Sequence, residues 1–168
     1  MLSIFDEIKD IHGMSDRDRL LLRLSAILHD CGKYISLSNL AECSYNIIMS
    51  TEIIGLSHKE RLILANVVKY NQLPFEYYEE LSEHAAIDME DHMRIAKLTA
   101  ILRLANGLDR SHRMKFADAK VSVKGSELII TAVTDEDIAL EKGLSENRSD
   151  FFREVYNLKS VIKQKRSF

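Results

Sequence analysis

The sequence predicts a mainly α-helical fold: a helical bundle followed by a small antiparallel β-hairpin or sheet and C-terminal helices. Three observations carry this expectation. Apolar residues recur at the helical period through most of the first 110 residues, and the 168-residue chain holds only one proline and six glycines. From Lys120 onward the pattern changes to short β-rich runs around a Gly-Ser turn signal. A chain of this length buries roughly two thirds of its surface, so one compact domain with a true core is expected, divided into a helical region at 1–116 and a hairpin-containing region at 117–168.

The elements follow in order. Ile4, Phe5, Ile8 and Ile11 share helical spacing, and His12-Gly13 closes that segment. The pattern is already under way at the first residue, so the segment is read as the end of a helix whose beginning is missing. Ser15 and Asp18 form a capping-box pattern opening a helix from Asp16, with Leu20, Leu24, Ile27 and Leu28 on one stripe and Gly32 as its expected left-handed stop. Asn39 to Met49 reads as a helix with Leu40, Cys43 and Ile47 inward. Ser57 and Glu60 open another, whose buried face is Ile63, Leu64, Val67 and Val68. Pro74 marks a break before a short acidic helix, Phe75 to His84. Asp91 to Arg110 is the longest periodic stretch, with Ile95, Leu98, Ile101, Leu102, Ala105 and Leu108 as a core face. Lys120–Lys124 and Leu128–Val133 form a hairpin around Gly125-Ser126. Two helical segments, Asp135 to Lys142 and Ser149 to Tyr156, follow, and Asn157 to Lys163 offers a further strand.

Composition excludes several classes. A formal charge of -3 rules out a protein that binds phosphate through overall basicity, although Arg103 to Lys115 and Lys159 to Arg166 are local basic stretches. Cys31 and Cys43 lack any CxxC spacing. With no secretory leader and no apolar run of membrane-crossing length, a cytoplasmic protein is expected.

The chemistry-bearing residues concentrate at two helix ends. His29-Asp30 stands in the last turn of the Asp16 helix, where an imidazole and a carboxylate serve either as two ligands of a divalent metal or as a hydrogen-bonded cap. Asp109 falls on the buried face of the Asp91 helix, and a carboxylate there requires a partner: a metal, the His29 ring or a cluster of backbone N–H groups.

The segments LLRLSAILHDCGKYIS, ECSYNII, GLSHKER and AILRLANGLDRSH, in this order and followed by a β-hairpin, are together far more specific than His29-Asp30 alone. They resemble the C-terminal HD-type helical region of the exopolyphosphatase and guanosine pentaphosphate phosphohydrolase family, over nearly the whole chain. The resemblance implies upstream actin-like domains that hold the hydrolytic site with its glycine-rich phosphate loops. No such loop occurs in this sequence, and Met1 is therefore read as the boundary of a module. An active HD site holds one or two metals with a His, a His-Asp pair and a later Asp, which carries the metal role onto His29, Asp30 and Asp109. The first His has no counterpart here, and Cys43 precedes Ser44 where the family often has His. The resemblance thus implies an incomplete site, with manganese, iron, nickel, cobalt or zinc as its candidate metals.

The expected function is a non-catalytic C-terminal module that binds polyphosphate and helps form a homodimer. Its candidate polyanion contacts are Lys33, Lys69, Arg103, Arg110, Arg113 and Lys115. The alternative is a metal-dependent HD-type phosphohydrolase acting on a nucleotide. RNA binding ranks last, because the chain lacks the interleaved aromatic and basic residues that stack on bases.

Overall fold

A computed structural model describes residues 1–80, 87–108, 116 and 119–165. The chain divides into two compact units: Met14–Leu102, and Met1–Gly13 together with Arg103–Phe168.

In the Met1–Gly13 and Arg103–Phe168 unit, α1 (Leu2–Glu7) and α2 (Lys9–His12) are separated at Ile8, where φ −98° and ψ 22° leave helical geometry. Ile4, Phe5 and Ile8 are buried as their spacing predicts, whereas Ile11 is turned outward by the break. Gly13, at φ +64°, provides the left-handed stop that a side-chain-bearing residue adopts only with strain.

In the Met14–Leu102 unit, α3 spans Asp16–Leu28 behind a complete Ser15/Asp18 capping box. Its buried face is Asp18, Leu21, Leu22 and Ser25, one position off the expected stripe, and Ile27 is 66% exposed. The run Leu20-Leu21-Leu22 offers overlapping stripes at the same period, and packing chose between them. A 3₁₀ turn, Cys31–Tyr34, follows. Gly32 is not the left-handed stop expected of it. A Cβ there would lie 2.5 Å from the Ser44 backbone nitrogen and 2.6 Å from the Leu40 carbonyl, so close approach of α4 (Leu40–Ser50) is what requires glycine. Helix α4 buries Ala41, Ser44 and Ile48, again one residue from the expected face, and Cys43 is only half-buried.

Helix α5 (His58–Tyr70) has the second capping box, Ser57 with Glu60, and buries every side chain from Leu62 to Val68. Ile48, Leu64, Ala65 and Val68 form a core cluster with Leu24, Leu28, Cys31 and Tyr45 packed around it. Beyond Pro74, helical geometry is present at Tyr78–Glu80, and the rest of the expected helix lies outside the described residues. Helix α6 (Met89–Leu108) buries Ile95, Leu98, Ile101, Leu102 and Leu108, as the periodicity predicts, while Ala105 of the same expected face is only half-buried; its residues from Arg103 on belong to the other unit.

That unit continues with β1 (Lys120–Lys124), β2 (Glu127–Val133), α7 (Ala139–Tyr156) and β3 (Lys159–Lys165). The β1–β2 hairpin closes through Gly125 at φ +59°. The expectation of an antiparallel sheet is corrected at the third strand, which pairs with β2 in parallel, from Glu127↔Lys159 to Val133↔Lys165. An 18-residue helix between β2 and β3 returns the chain to the starting end of β2, and a crossover of that kind produces parallel pairing. The two helical segments expected there form this single helix. Leu128, Ile130 and Ala132 fill the sheet's inner face.

Candidate functional site

Helix α3 ends where the sequence places its chemistry. His29 keeps helical dihedrals as the C-cap, and its Nδ1–H donates to the Ala26 carbonyl at 2.8 Å. This fixes the ring so that Nε2 faces Asp30 Oδ1 at 3.5 Å. The other Asp30 oxygen accepts from Lys33 Nζ at 2.6 Å. Behind them, the Gly32 N–H donates to Ser44 Oγ at 2.9 Å and locks the turn onto α4.

This arrangement brings His29, Asp30 and Lys33 together. Asp109, Arg110, Arg113 and Lys115 lie outside the described residues. The fit of a divalent metal is decided by donors: a protein site supplies three or more. The described residues supply His29 Nε2 and an Asp30 carboxylate already held by an ammonium group, and no group of three or more His, Cys, Asp or Glu converges among them. These residues alone do not make a metal site.

Two other sequence-predicted cations have defined surroundings. Lys69 Nζ lies 3.2 Å from Glu42 and 3.9 Å from Glu76, and 5.6 Å from the ring centres of both Tyr45 and Tyr70. Its charge is matched by carboxylates and ring faces. Arg103 stacks over Phe151 at 4.6 Å, and burial, reinforced by the nearby Arg148 charge, lowers its pKa.

Sequence reading missed the ionic network linking α3, α5 and α6. Arg94 donates to Asp18 Oδ1 through Nη2 at 2.6 Å and Nε at 2.9 Å, and also reaches Asp91 at 3.3 Å. Asp91 in turn accepts the Lys59 ammonium at 2.8 Å. Burial pushes the Asp18 carboxyl up, but hydrogen bonds from the Ser15 side chain and backbone and from Arg94 outweigh it, so its pKa lies below the usual value. Arg17 clamps Glu60, and that hydrogen bond, with help from Ser57, lowers the Glu60 carboxyl to about 2. The signal was available only as charge at buried helical positions, because the partners lie far apart in sequence.

Fold and site together define a helical module with a His29-Asp30 pair at a helix end and a mixed-sheet unit. The chain belongs to the Ppx/GppA phosphatase family, whose domain III it matches over residues 1–148. The family read from the motifs is thereby shown. No match was found among curated proteins. No helix among the described residues is long and apolar enough to cross a membrane.

Proposed function

We propose that this chain is a polyanion-binding, dimer-forming C-terminal module of an exopolyphosphatase-like protein, working with upstream actin-like domains that carry out hydrolysis. The observation that carries the reading is the match to domain III of a phosphatase family in a chain with no glycine-rich phosphate loop of its own. Inorganic polyphosphate has dense charge and no bases, so lysine and arginine side chains suffice to hold it, with a steep salt dependence. Dimerisation is supported by exposed large apolar side chains around the α3 terminus: Ile27 at 66%, Tyr34 at 96%, Ile35 at 67% and Leu37 at 73%. The test is binding of long-chain polyphosphate by the 168-residue chain, paired with an assay of phosphate release. Binding without release is the expected result.

One observation favours the alternative, a metal-dependent phosphohydrolase. The Nδ1–H of His29 donates to a backbone carbonyl, the orientation that presents Nε2 to a metal. That reading needs Asp109 and a further donor beside His29 and Asp30. Elemental analysis of the purified chain decides it, since near-stoichiometric metal lost on Asp109→Ala supports the alternative.

A further inference from the structure

Strand β3 forms one edge of the β1-β2-β3 sheet, and its hydrogen bonds show which of its residues face outward. The Lys159 N–H donates to the Ser126 carbonyl at 2.9 Å, and the Lys165 carbonyl accepts from the Thr134 N–H at 3.0 Å. Backbone groups alternate in direction along a strand. Lys159, Val161, Lys163 and Lys165 therefore bond toward β2, and the N–H and C=O groups of Ser160, Ile162 and Gln164 point away from the sheet. Among the described residues no strand pairs with this outer side and no hydrogen bond reaches those backbone groups.

The β1 edge is different. There the Val123 N–H donates to Glu7 Oε1 at 3.1 Å, so a side chain from α1 occupies a backbone donor. Strand β3 has no such plug, yet it is held in place. Gln164 Nε2 donates to the carbonyls of Thr134 at 3.1 Å and Glu136 at 2.9 Å, tying the end of the strand to the segment after β2. Its open side is thus a preformed row of donors and acceptors repeating every ~6.6 Å.

The side chains of β3 select what pairs there. Lys159, Lys163 and Lys165 share one side of the strand and are exposed, and the half-buried Ser160 and Ile162 lie on the other. In an added strand, acidic residues beside those lysines pair favourably and basic residues repel. A second copy of β3 paired antiparallel about Ile162 sets Lys159 opposite Lys165 twice, so charge opposes self-pairing.

We infer that the outer edge of β3 takes up an extended acidic segment of a partner protein as a fourth strand. Main-chain hydrogen bonds give this mode its affinity, and alternate side chains give it specificity. An inorganic polyanion does not substitute, because it offers acceptors to the three outward N–H groups but no regular donors to the three carbonyls. The inference therefore stands apart from the polyphosphate reading.

The experiment titrates the 168-residue chain with a seven-residue peptide, matched to β3, that alternates glutamate with valine, and follows amide hydrogen exchange in the same samples. Binding is expected to slow exchange at Ser160, Ile162 and Gln164 by about tenfold or more. Methylating the peptide nitrogens at one alternate set of positions is expected to abolish binding, and at the other set to leave it within about twofold, because only one set faces β3. Equal effects of the two sets overturn the edge pairing. Lys159→Gln with Lys163→Gln is expected to weaken binding roughly three- to tenfold. A peptide carrying lysine for glutamate that binds equally well overturns the acidic occupant. Absence of binding, or binding that leaves the three amides unprotected, overturns the inference and leaves the lysines as guards against edge pairing. Protection of the same amides without peptide, rising with protein concentration, overturns the partner in favour of a second copy.

Discussion

The N–H of Gly32 donates to Ser44 Oγ at 2.9 Å, joining the turn after His29-Asp30 to the first turns of α4. Glycine is required by the approach itself, since Ser44 and Leu40 backbone atoms occupy the space a side chain needs. Gly32→Ala is expected to destabilise the protein by about 2–4 kcal/mol, through overpacking against backbone that cannot yield locally. Ser44→Ala leaves one buried N–H unpaired and is expected to cost about 1–2 kcal/mol. Chemical denaturation of both variants checks the order, and Gly32→Ala as stable as wild type contradicts it.

Arg94 and Asp18 are the second such tie, between α3 and α6. Their side chains are 25% and 7% exposed, so this pair is neither free in water nor fully desolvated. Arg94→Gln is expected to cost about 2 kcal/mol, less than the 3–5 kcal/mol of a fully buried pair broken on one side. Asp18→Asn is expected to act in the same direction, and a double variant to fall short of the sum. Additive losses in the double-mutant cycle contradict a direct pairing.

Stability is also expected to depend on acid pH through Asp18 and Glu60. Both carboxyls have folded-state pKa values below their unfolded ones, with Glu60 lowered from 4.5 to about 2. The unfolded chain therefore binds more protons in this range, so the stabilisation is fully present above about pH 4.5 and is lost as pH falls toward 2. Denaturation midpoints measured from pH 6 to 2 are expected to drop less in Glu60→Gln than in wild type. Parallel curves contradict the assignment.

Helix boundaries and caps were largely legible in the sequence, but not which face each helix buries. Ser15/Asp18 and Ser57/Glu60 form the two capping boxes where local spacing placed them, because a cap is a contact within one turn. Leu20-Leu21-Leu22 left the α3 stripe ambiguous by one residue, and only neighbouring helices resolve such a shift. The parallel pairing of β3 depends on the path of α7, a property of the whole crossover. At the candidate site, the adjacency of His29 and Asp30 was readable. The Lys33 bond to Asp30, the Ser44 anchor and the Arg94–Asp18 pair required the fold.

The apolar side chains at the α3 terminus give a prediction about assembly. Tyr34→Lys with Leu37→Glu is expected to shift the chain toward monomer in sedimentation experiments without lowering thermal stability, because Tyr34 and Leu37 are 96% and 73% exposed. An unchanged oligomer, or a monomeric wild type, contradicts a dimer built on this surface.

Polyphosphate binding by the 168-residue chain at two salt concentrations, with released phosphate followed in the same samples, tests the central claim most directly. The account predicts binding that weakens steeply as salt rises, with no phosphate released. Failure to bind at low salt contradicts it, and phosphate release sustained by stoichiometric metal replaces it with the phosphohydrolase.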